Sequence, residues 1–264
     1  MTERYALIGH PVAHSKSPFI HQRFARSTSQ DIEYGLIEAP LDRFEETVEA
    51  FRRSGGKGLN VTLPFKEQAF AWCKQTTPRA AEAEAVNTLT LDDAHGDNTD
   101  GIGLVRDVTL NLSVQLRGKA VLIMGAGGAA RGVVPALLES GVGRVVLANR
   151  TLGRAEAVAA RFPSVEARTF ESLVSERFDV IVNATSAGLS GEVAALPPAL
   201  LGPGVLAYDM TYGSETPFLA GARRAKAQTS DGLGMLVEQA AESFFVWRGV
   251  RPDTAPVLRE LRGG

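Results

Sequence analysis

One stretch constrains this chain more than any other: VLIMGAGGAAR, from Val121 to Arg131. Four apolar residues in a row read as a buried strand, and Gly125, Gly127 and Ala130 follow at once as G-x-G-x-x-A. Glycines there let the backbone turn tightly and come close to a pyrophosphate, and the helix start behind them offers free N–H groups and a positive dipole end. The motif alone also fits a plain tight turn. Here strand, turn, helix and next strand come in the order of a dinucleotide-binding βαβ unit. The next strand, Arg144–Ala148, ends in Asn149-Arg150-Thr151, and Arg154 follows. An acidic residue for a ribose 2′-hydroxyl is missing, while two guanidiniums suit a 2′-phosphate. The alternative for Arg150 is a solvated residue at a helix start, although Thr151 is already a good N-cap.

A nucleotide unit of this kind needs only part of the 264 residues, so the length leaves room for a second domain. With 28 Lys+Arg against 30 Asp+Glu and a net charge of −2, no basic excess exists to hold a nucleic acid. The one cysteine, Cys73, excludes an internal disulfide and a multi-cysteine metal site, and its helical setting assigns it to core packing. No apolar run approaches the roughly 20 residues of a membrane span. Met1 to Tyr5 carries charge and leads into a strand, unlike a signal peptide. A cytoplasmic protein without nucleic-acid or membrane partners is expected, as a monomer or homodimer.

Along the first hundred residues, strand-like and helix-like pieces alternate, which implies a mostly parallel sheet. Strands are expected at Tyr5–Gly9, Ile32–Ile37, Gly58–Thr62 and Val86–Leu91, with a polar turn over Asp92–Asp97. Helices are expected from Ser17 to Phe24, from Leu41 to Phe51 and from Pro64 to Cys73. Asn98-Thr99-Asp100-Gly101 marks a boundary, and Ile102–Leu112 reads as a connecting helix. The second series then runs Lys119–Met124, Gly127–Ser140, Arg144–Ala148, Arg154–Phe162, Phe178–Asn183 and Val205–Met210, before a long helix at Gly234–Arg248.

The loop from Gly9 to Pro18 is dense in hydroxyls and punctuation. Ser17 before Pro18 reads as an N-cap, and Ser15 with Ser17 at a helix start also makes a pocket for a carboxylate. His10, His14 and His21 do not read as a metal site: Pro11 keeps the first two off a helix, and no carboxylate accompanies them. Alternation puts Asn60 and Thr62 on one face of a strand. Lys66 follows the Pro turn at that strand's C-terminal end, where open α/β sheets gather ligands. Only 6 of the 28 basic residues are lysine, and a lysine can donate or accept a proton when neighbours tune it. A snorkelling surface lysine is the alternative. Asp100 reads either as a functional acid or as an N-cap.

These segments in order resemble the shikimate dehydrogenase family: GHPVAHSKSP from Gly9, NVTLPFK from Asn60, AVNTL from Ala85, NTDGIGL from Asn98, GAGGAAR from Gly125, NRT from Asn149, NATSAG from Asn183, YDMTY from Tyr208 and DGLGMLVEQA from Asp231. The resemblance covers nearly the whole chain. It implies that Ser15 and Ser17 hold a substrate carboxylate with Tyr212 nearby, and that Lys66 and Asp100 are the catalytic pair. It implies that Thr62, Asn87, Gln239 and Asn60 meet ring hydroxyls. Gly125, Ala126, Gly127, Gly128 and Ala129 would cradle the pyrophosphate of NADP. Asn149, Arg150, Thr151 and Arg154 would take its 2′-phosphate, with Thr185, Met210 and Gly232 also on the cofactor. Where many members of the family carry an acid nine positions before the Asn of AVNTL, this chain has Pro78, so no cofactor contact is carried over there.

The expected fold is α/β in two domains with a cleft between them. Residues 1–100 form an N-terminal αβ substrate-binding and catalytic domain, residues 101–235 a Rossmann-type doubly wound NADP-binding domain, and residues 236–264 C-terminal helices returning to the first. The resemblance implies NADPH-dependent, reversible reduction of 3-dehydroshikimate to shikimate, without a metal. The alternatives are a quinate/shikimate dehydrogenase using NAD and a non-catalytic NADP-sensing protein.

Overall fold

The computed structural model describes residues 2–185 and 196–263. The NATSAG segment therefore has Asn183–Thr185 within the described residues and Ser186, Ala187 and Gly188 outside them. The chain divides into two compact units: the residues up to Leu104 together with those from Leu236 onward, and Val105–Met235.

The first unit is built on a six-stranded sheet in the order β2-β1-β3-β5-β6-β4. The inner strand β1 (Glu3–Gly9) buries all of Tyr5–Gly9 and runs parallel to β2 (Ile32–Glu38) and β3 (Gly56–Val61). The sheet is mixed rather than mostly parallel. β5 (Thr88–Thr90) is antiparallel to both β3 and β6 (His95–Asp97), and β4 (Gln75–Thr76) is parallel to β6. β6 replaces the end of the expected polar turn. Gly96 and Asp97 are interior: Asp97 is paired, and Gly96 lies so close to Cys73 that an added Cβ would sit 2.4 Å from Sγ. Cys73 itself closes α3 (Lys66–Trp72), and its thiol donates to the Ala69 carbonyl. Burial pushes that thiol up to about 12.

Beside the sheet lie α1 (Ser17–Ser27), α2 (Phe44–Arg53) and α4 (Pro78–Ala83). The second helix starts at Phe44 rather than Leu41, because Leu41 is 58% exposed while Phe44 is buried and stacks on Phe65. These rings pack with Ile8, Leu59, Val86 and Leu89 in one core. Each such side chain contributes about 1.5–3 kcal/mol. A second aromatic cluster joins Tyr5, His21, Phe24 and Tyr34 to Phe244 and Trp247 of the C-terminal helix Leu233–Arg248.

The second unit begins within α5 (Asp100–Arg106), whose regular turns give way to a wider turn over Asp107–Asn111. The expected single helix to Leu112 is interrupted where buried Asp107 takes the Tyr208 hydroxyl at 2.6 Å. Its sheet is all parallel: β7 (Ala120–Met124), β8 (Arg144–Ala148), β9 (Val165–Arg168), β10 (Val180–Asn183), β11 (Leu206–Asp209) and β12 (Gln228–Ser230). The order β12-β11-β10-β7-β8-β9 is the doubly wound dinucleotide-fold order, with its switch point between β7 and β10. Val121–Met124 are wholly buried, as an inner parallel strand covered on both faces requires. The helices here are α6 (Gly128–Glu139), α7 (Leu152–Ala159) and α8 (Pro217–Arg224); α9 (Leu233–Arg248) and α10 (Ala255–Leu261) close the chain.

Candidate active site

In the first unit, Lys66 stands on the first turn of α3, just after the strand that ends at Val61. Its Nζ lies 2.5 Å from Oδ2 of Asp100, the first residue of α5, and the two side chains are 16% and 7% exposed. Asp100 Oδ1 accepts from Asn87 Nδ2 at 2.8 Å, so both carboxylate oxygens are engaged by side chains. Asn87 cannot be reversed: its Oδ1 faces the Thr99 N–H at 2.8 Å, a group that can only donate. Gln239 of α9 joins this group through Oε1, which accepts from Asn87 and from Thr99. An ammonium has three donors, and Asp100 takes one of them. The pair is thus a largely buried proton-bearing group with donor capacity to spare, held in place by a carboxamide.

Asn60 is also brought into this network. Its Nδ2 donates to the Asn87 carbonyl, to Thr88 and to Ser243, and its Oδ1 accepts from Tyr34 at 2.7 Å. Burial pushes the Tyr34 hydroxyl well above its ordinary value. Thr62 lies half-buried just past β3, its N–H bonded to the Ile8 carbonyl.

Ser15 and Ser17 face each other at 3.1 Å, but Ser17 is not the cap expected of it. The helix already begins at Ser17 with Pro18 behind it, and the Ser17 N–H donates to Ser15 Oγ. His21 is fully buried against Tyr34, the two rings stacked nearly parallel with centroids 4.1 Å apart, and neither ring nitrogen has a hydrogen-bond partner among the described residues. Burial pushes it down to about 3.

In the second unit, Gly125 adopts φ +106°, which favours glycine, and an added Cβ would lie 3.1 Å from Thr185. Gly127 is exposed with open space where a Cβ would stand, so the turn into α6 presents bare backbone. Ala126, Gly128 and Ala129 line the same turn and are half-buried. At the tip of β8, Asn149 donates to the Thr151 carbonyl, while Arg150, Thr151 and Arg154 are exposed. Neither guanidinium forms an ion pair or side-chain hydrogen bond among the described residues. Thr151 occupies the N-cap position of α7 without a side-chain bond to it. Thr185 donates to Asn183, whose amide in turn binds Asp209 at the end of β11. Met210 and Tyr212 follow β11. Gly232 lies so close that an added Cβ would be 2.2 Å from the Met210 carbonyl oxygen, which only glycine permits.

Three buried hydroxyls escape the sequence reading. Thr88, Thr99 and Ser243 share hydrogen bonds of 2.8–3.5 Å and link Asn60 to Asn87. Ser243 donates to the Gln239 carbonyl one turn back on α9. Its spacing of four from Gln239 on one helix face was the available signal. A second missed cluster is Arg79, bidentate to Asp97 at 2.7 and 2.5 Å and 3.2 Å from Glu242. Burial works to raise the Asp97 pKa, but the Arg79 guanidinium and the Thr77 hydroxyl hold it below the ordinary carboxylate value.

Comparison with known proteins was consistent along the chain. Residues 7–89 match the family description "Shikimate dehydrogenase substrate binding domain", 108–190 "Shikimate / quinate 5-dehydrogenase" and 232–262 "Shikimate 5'-dehydrogenase C-terminal domain". A shikimate dehydrogenase (NADP(+)) of Methylobacillus flagellatus is 55% identical, covering 98% of this chain and 99% of its own. The crystal structure of an Ael1 enzyme from Pseudomonas putida superposes with a TM-score of 0.93 at 46% identity, covering 98% of each chain. The shikimate 5-dehydrogenase of Thermus thermophilus, in complex with NADP(H) and shikimate, gives 0.88 at 34% identity over 99% of each chain.

Proposed function

The chain belongs to the shikimate dehydrogenase family, and from that premise we propose that it catalyses the reversible, NADPH-dependent reduction of 3-dehydroshikimate to shikimate on the route to chorismate and the aromatic amino acids. The observation that carries this reading is the Lys66–Asp100 pair, braced by Asn87. When bound, NADPH supplies a hydride to the ring ketone. The ketone carbon gains that hydride and its oxygen gains negative charge, so one proton must arrive for each hydride. The Lys66 ammonium donates it, Asp100 orients the lysine, and the neutral amine left behind regains its proton from water. General acid help of this kind contributes about 10²–10⁴ in rate. In the reverse direction the same pair accepts the hydroxyl proton.

Ser15 and Ser17 hold the substrate carboxylate, Tyr212 is a further substrate-binding residue, and Thr62, Asn87, Gln239 and Asn60 meet the ring hydroxyls. The second unit fits NADP by two features of its own. The Gly125–Ala129 turn offers bare backbone at a helix start for the pyrophosphate. Asn149, Arg150, Thr151 and Arg154 would take the 2′-phosphate, with the two guanidiniums unpaired among the described residues and no acid in the group. Thr185, Met210 and Gly232 complete the cofactor side. The missing acid speaks against an NAD-preferring quinate/shikimate enzyme, and the Lys66 network against a non-catalytic sensor.

Among the described residues no helix is long and apolar enough to cross a membrane. We place the enzyme in the cytoplasm, acting as a monomer or homodimer on small molecules. Mixing the protein with shikimate and NADP⁺ and following the reduced-nicotinamide absorbance tests the function. Reduced nicotinamide should form quickly with NADP⁺ and slowly with NAD⁺. No absorbance change with either cofactor would remove the assignment.

A further inference from the structure

We infer that Asn98, a residue only 1% exposed, is a positioning residue that sets the placement of Lys66, Asn87 and Asp100 relative to one another. The inference rests on the roles given above to Lys66 and Asp100. Its side chain bridges two segments. Nδ2 donates to the Ala85 carbonyl at 2.8 Å, and Oδ1 accepts from the Asp100 N–H at 3.1 Å. Ala85 leads directly into Val86, whose N–H donates to the Lys66 carbonyl at 2.9 Å, and into Asn87, whose N–H donates to the Asp97 carbonyl at 3.0 Å. One planar carboxamide therefore stands between the backbone that carries Asn87 and abuts Lys66 and the backbone that carries Asp100.

The amide has only one workable orientation, since a carbonyl can only accept and an N–H can only donate. Its own position is fixed from behind. The Asn98 N–H donates to Asp97 Oδ1 at 2.7 Å, and Asp97 is clamped by Arg79 and Thr77. Removing the side chain leaves a buried carbonyl and a buried N–H unpaired, and the two segments lose their fixed spacing. Both ends of the side chain are engaged within the protein, one of them on the Asp100 backbone, and it is through Asp100 that Asn98 acts.

The test compares the parent chain with Asn98→Ala and Asn98→Asp in shikimate oxidation by NADP⁺, across pH, with NADP⁺ affinity titrated separately. For Asn98→Ala, kcat should fall about tenfold or more, because small misplacements at a reacting centre are costly in rate. NADP⁺ affinity should stay within about twofold of the parent. Asn98→Asp carries a sharper signature. Protonated, the new carboxyl offers one donor and one acceptor, as the amide does; ionised, it only accepts and faces the Ala85 carbonyl with no hydrogen. Its kcat relative to the parent should therefore rise as pH falls, a trend that a merely structural side chain does not produce. A near-parental kcat in Asn98→Ala overturns the inference. Should that variant fail to fold, a pH-independent ratio for Asn98→Asp overturns it as well. A parent chain that turns over no shikimate removes the proposed function itself, a distinct outcome.

Discussion

Every side-chain polar atom of Asn87 in the first unit has a protein partner, whereas the guanidiniums of Arg150 and Arg154 in the second have none among the described residues. The contrast follows from the task proposed for each place. Proton delivery to a developing alkoxide gains from groups already aimed, because no reorganisation is then needed at the moment of reaction. A phosphate carries its charge in ground and transition states alike. Flexible cations and bare backbone at a loop tip suffice for it, and they stay solvated until it comes. One region is therefore rigid through side chains, and the other is shaped by glycine.

The largest test of this contrast is Lys66→Ala. Loss of the proton donor should lower kcat by about 10²–10⁴-fold, with NADP⁺ affinity unmoved. Steady-state kinetics at saturating shikimate measure it, with circular dichroism to show that the unpaired Asp100 has not unfolded the unit. Asp100→Asn should give a loss of the same kind. The double variant should fall short of the summed effects, since both residues serve one proton. A near-normal kcat in Lys66→Ala would leave the lysine as a binding residue and the contrast without its chemical basis.

Next in size is Arg150→Ala combined with Arg154→Ala. Charge-assisted bonds contribute about 1.5–3 kcal/mol, so kcat/KM for NADP⁺ should drop about 10–150-fold while that for NAD⁺ scarcely changes. Equal efficiency with the two cofactors in the unaltered chain would show that the tip of β8 does not read the 2′-phosphate. Ser15→Ala with Ser17→Ala should raise the shikimate KM about tenfold or more and leave the NADP⁺ KM in place. The helix should survive, because Ser17 supplies no side-chain cap and the one bond lost at the helix start is that of the Ser17 N–H to Ser15 Oγ. An unchanged shikimate KM would assign both serines to the loop alone.

Legibility differed between the regions for the same reason. The glycine turn is local: strand, G-x-G-x-x-A and helix lie within a dozen residues, and the structure sets them as read. The network around Asn87 is assembled from distant pieces. Ser243 meets Asn60 across 183 positions and Thr88 across 155, and no spacing rule joins such residues. Lys66 had a positional signal in its place past the Pro turn, and the family resemblance tipped it, Asn87 and Asp100 toward chemistry; Asn98, Thr99 and Thr88 sat in the same segments with no such signal. Some of what was missed did carry a local signal. Thr77-Pro78 and Thr216-Pro217 each open a helix, and each threonine accepts the N–H three residues on, as a cap before proline should. Pro78, odd beside the family pattern, is simply the first residue of α4. The edge strand β9, with only Val165 buried, offers no alternation to find.

The smallest effect concerns stability rather than turnover, and it should separate the two units. His21 lies wholly buried beneath Tyr34, and burial lowers its pKa from 6.5 to about 3. In the unfolded chain it titrates at its ordinary value, so below that value the unfolded state binds a proton that the folded state refuses. Stability is then fully present above about pH 6.5 and falls as pH drops, by about 1.4 kcal/mol per unit until the folded pKa is reached. At about pH 5 the loss is about 2 kcal/mol. His21→Phe keeps a flat ring against Tyr34 and has no nitrogens left without partners, so it should match or exceed the parent at neutral pH. The Asp97 carboxylate, held below its ordinary 3.8, adds its own loss only at still lower pH, which leaves the window above it to His21. Amide hydrogen exchange read unit by unit, at about pH 7 and about pH 5, decides the matter. Protection of β1 and β3 should fall on acidification and β7 and β10 should hold; in His21→Phe the difference should close. An acid loss of the same size in both units, unchanged by the substitution, would place its cause outside His21.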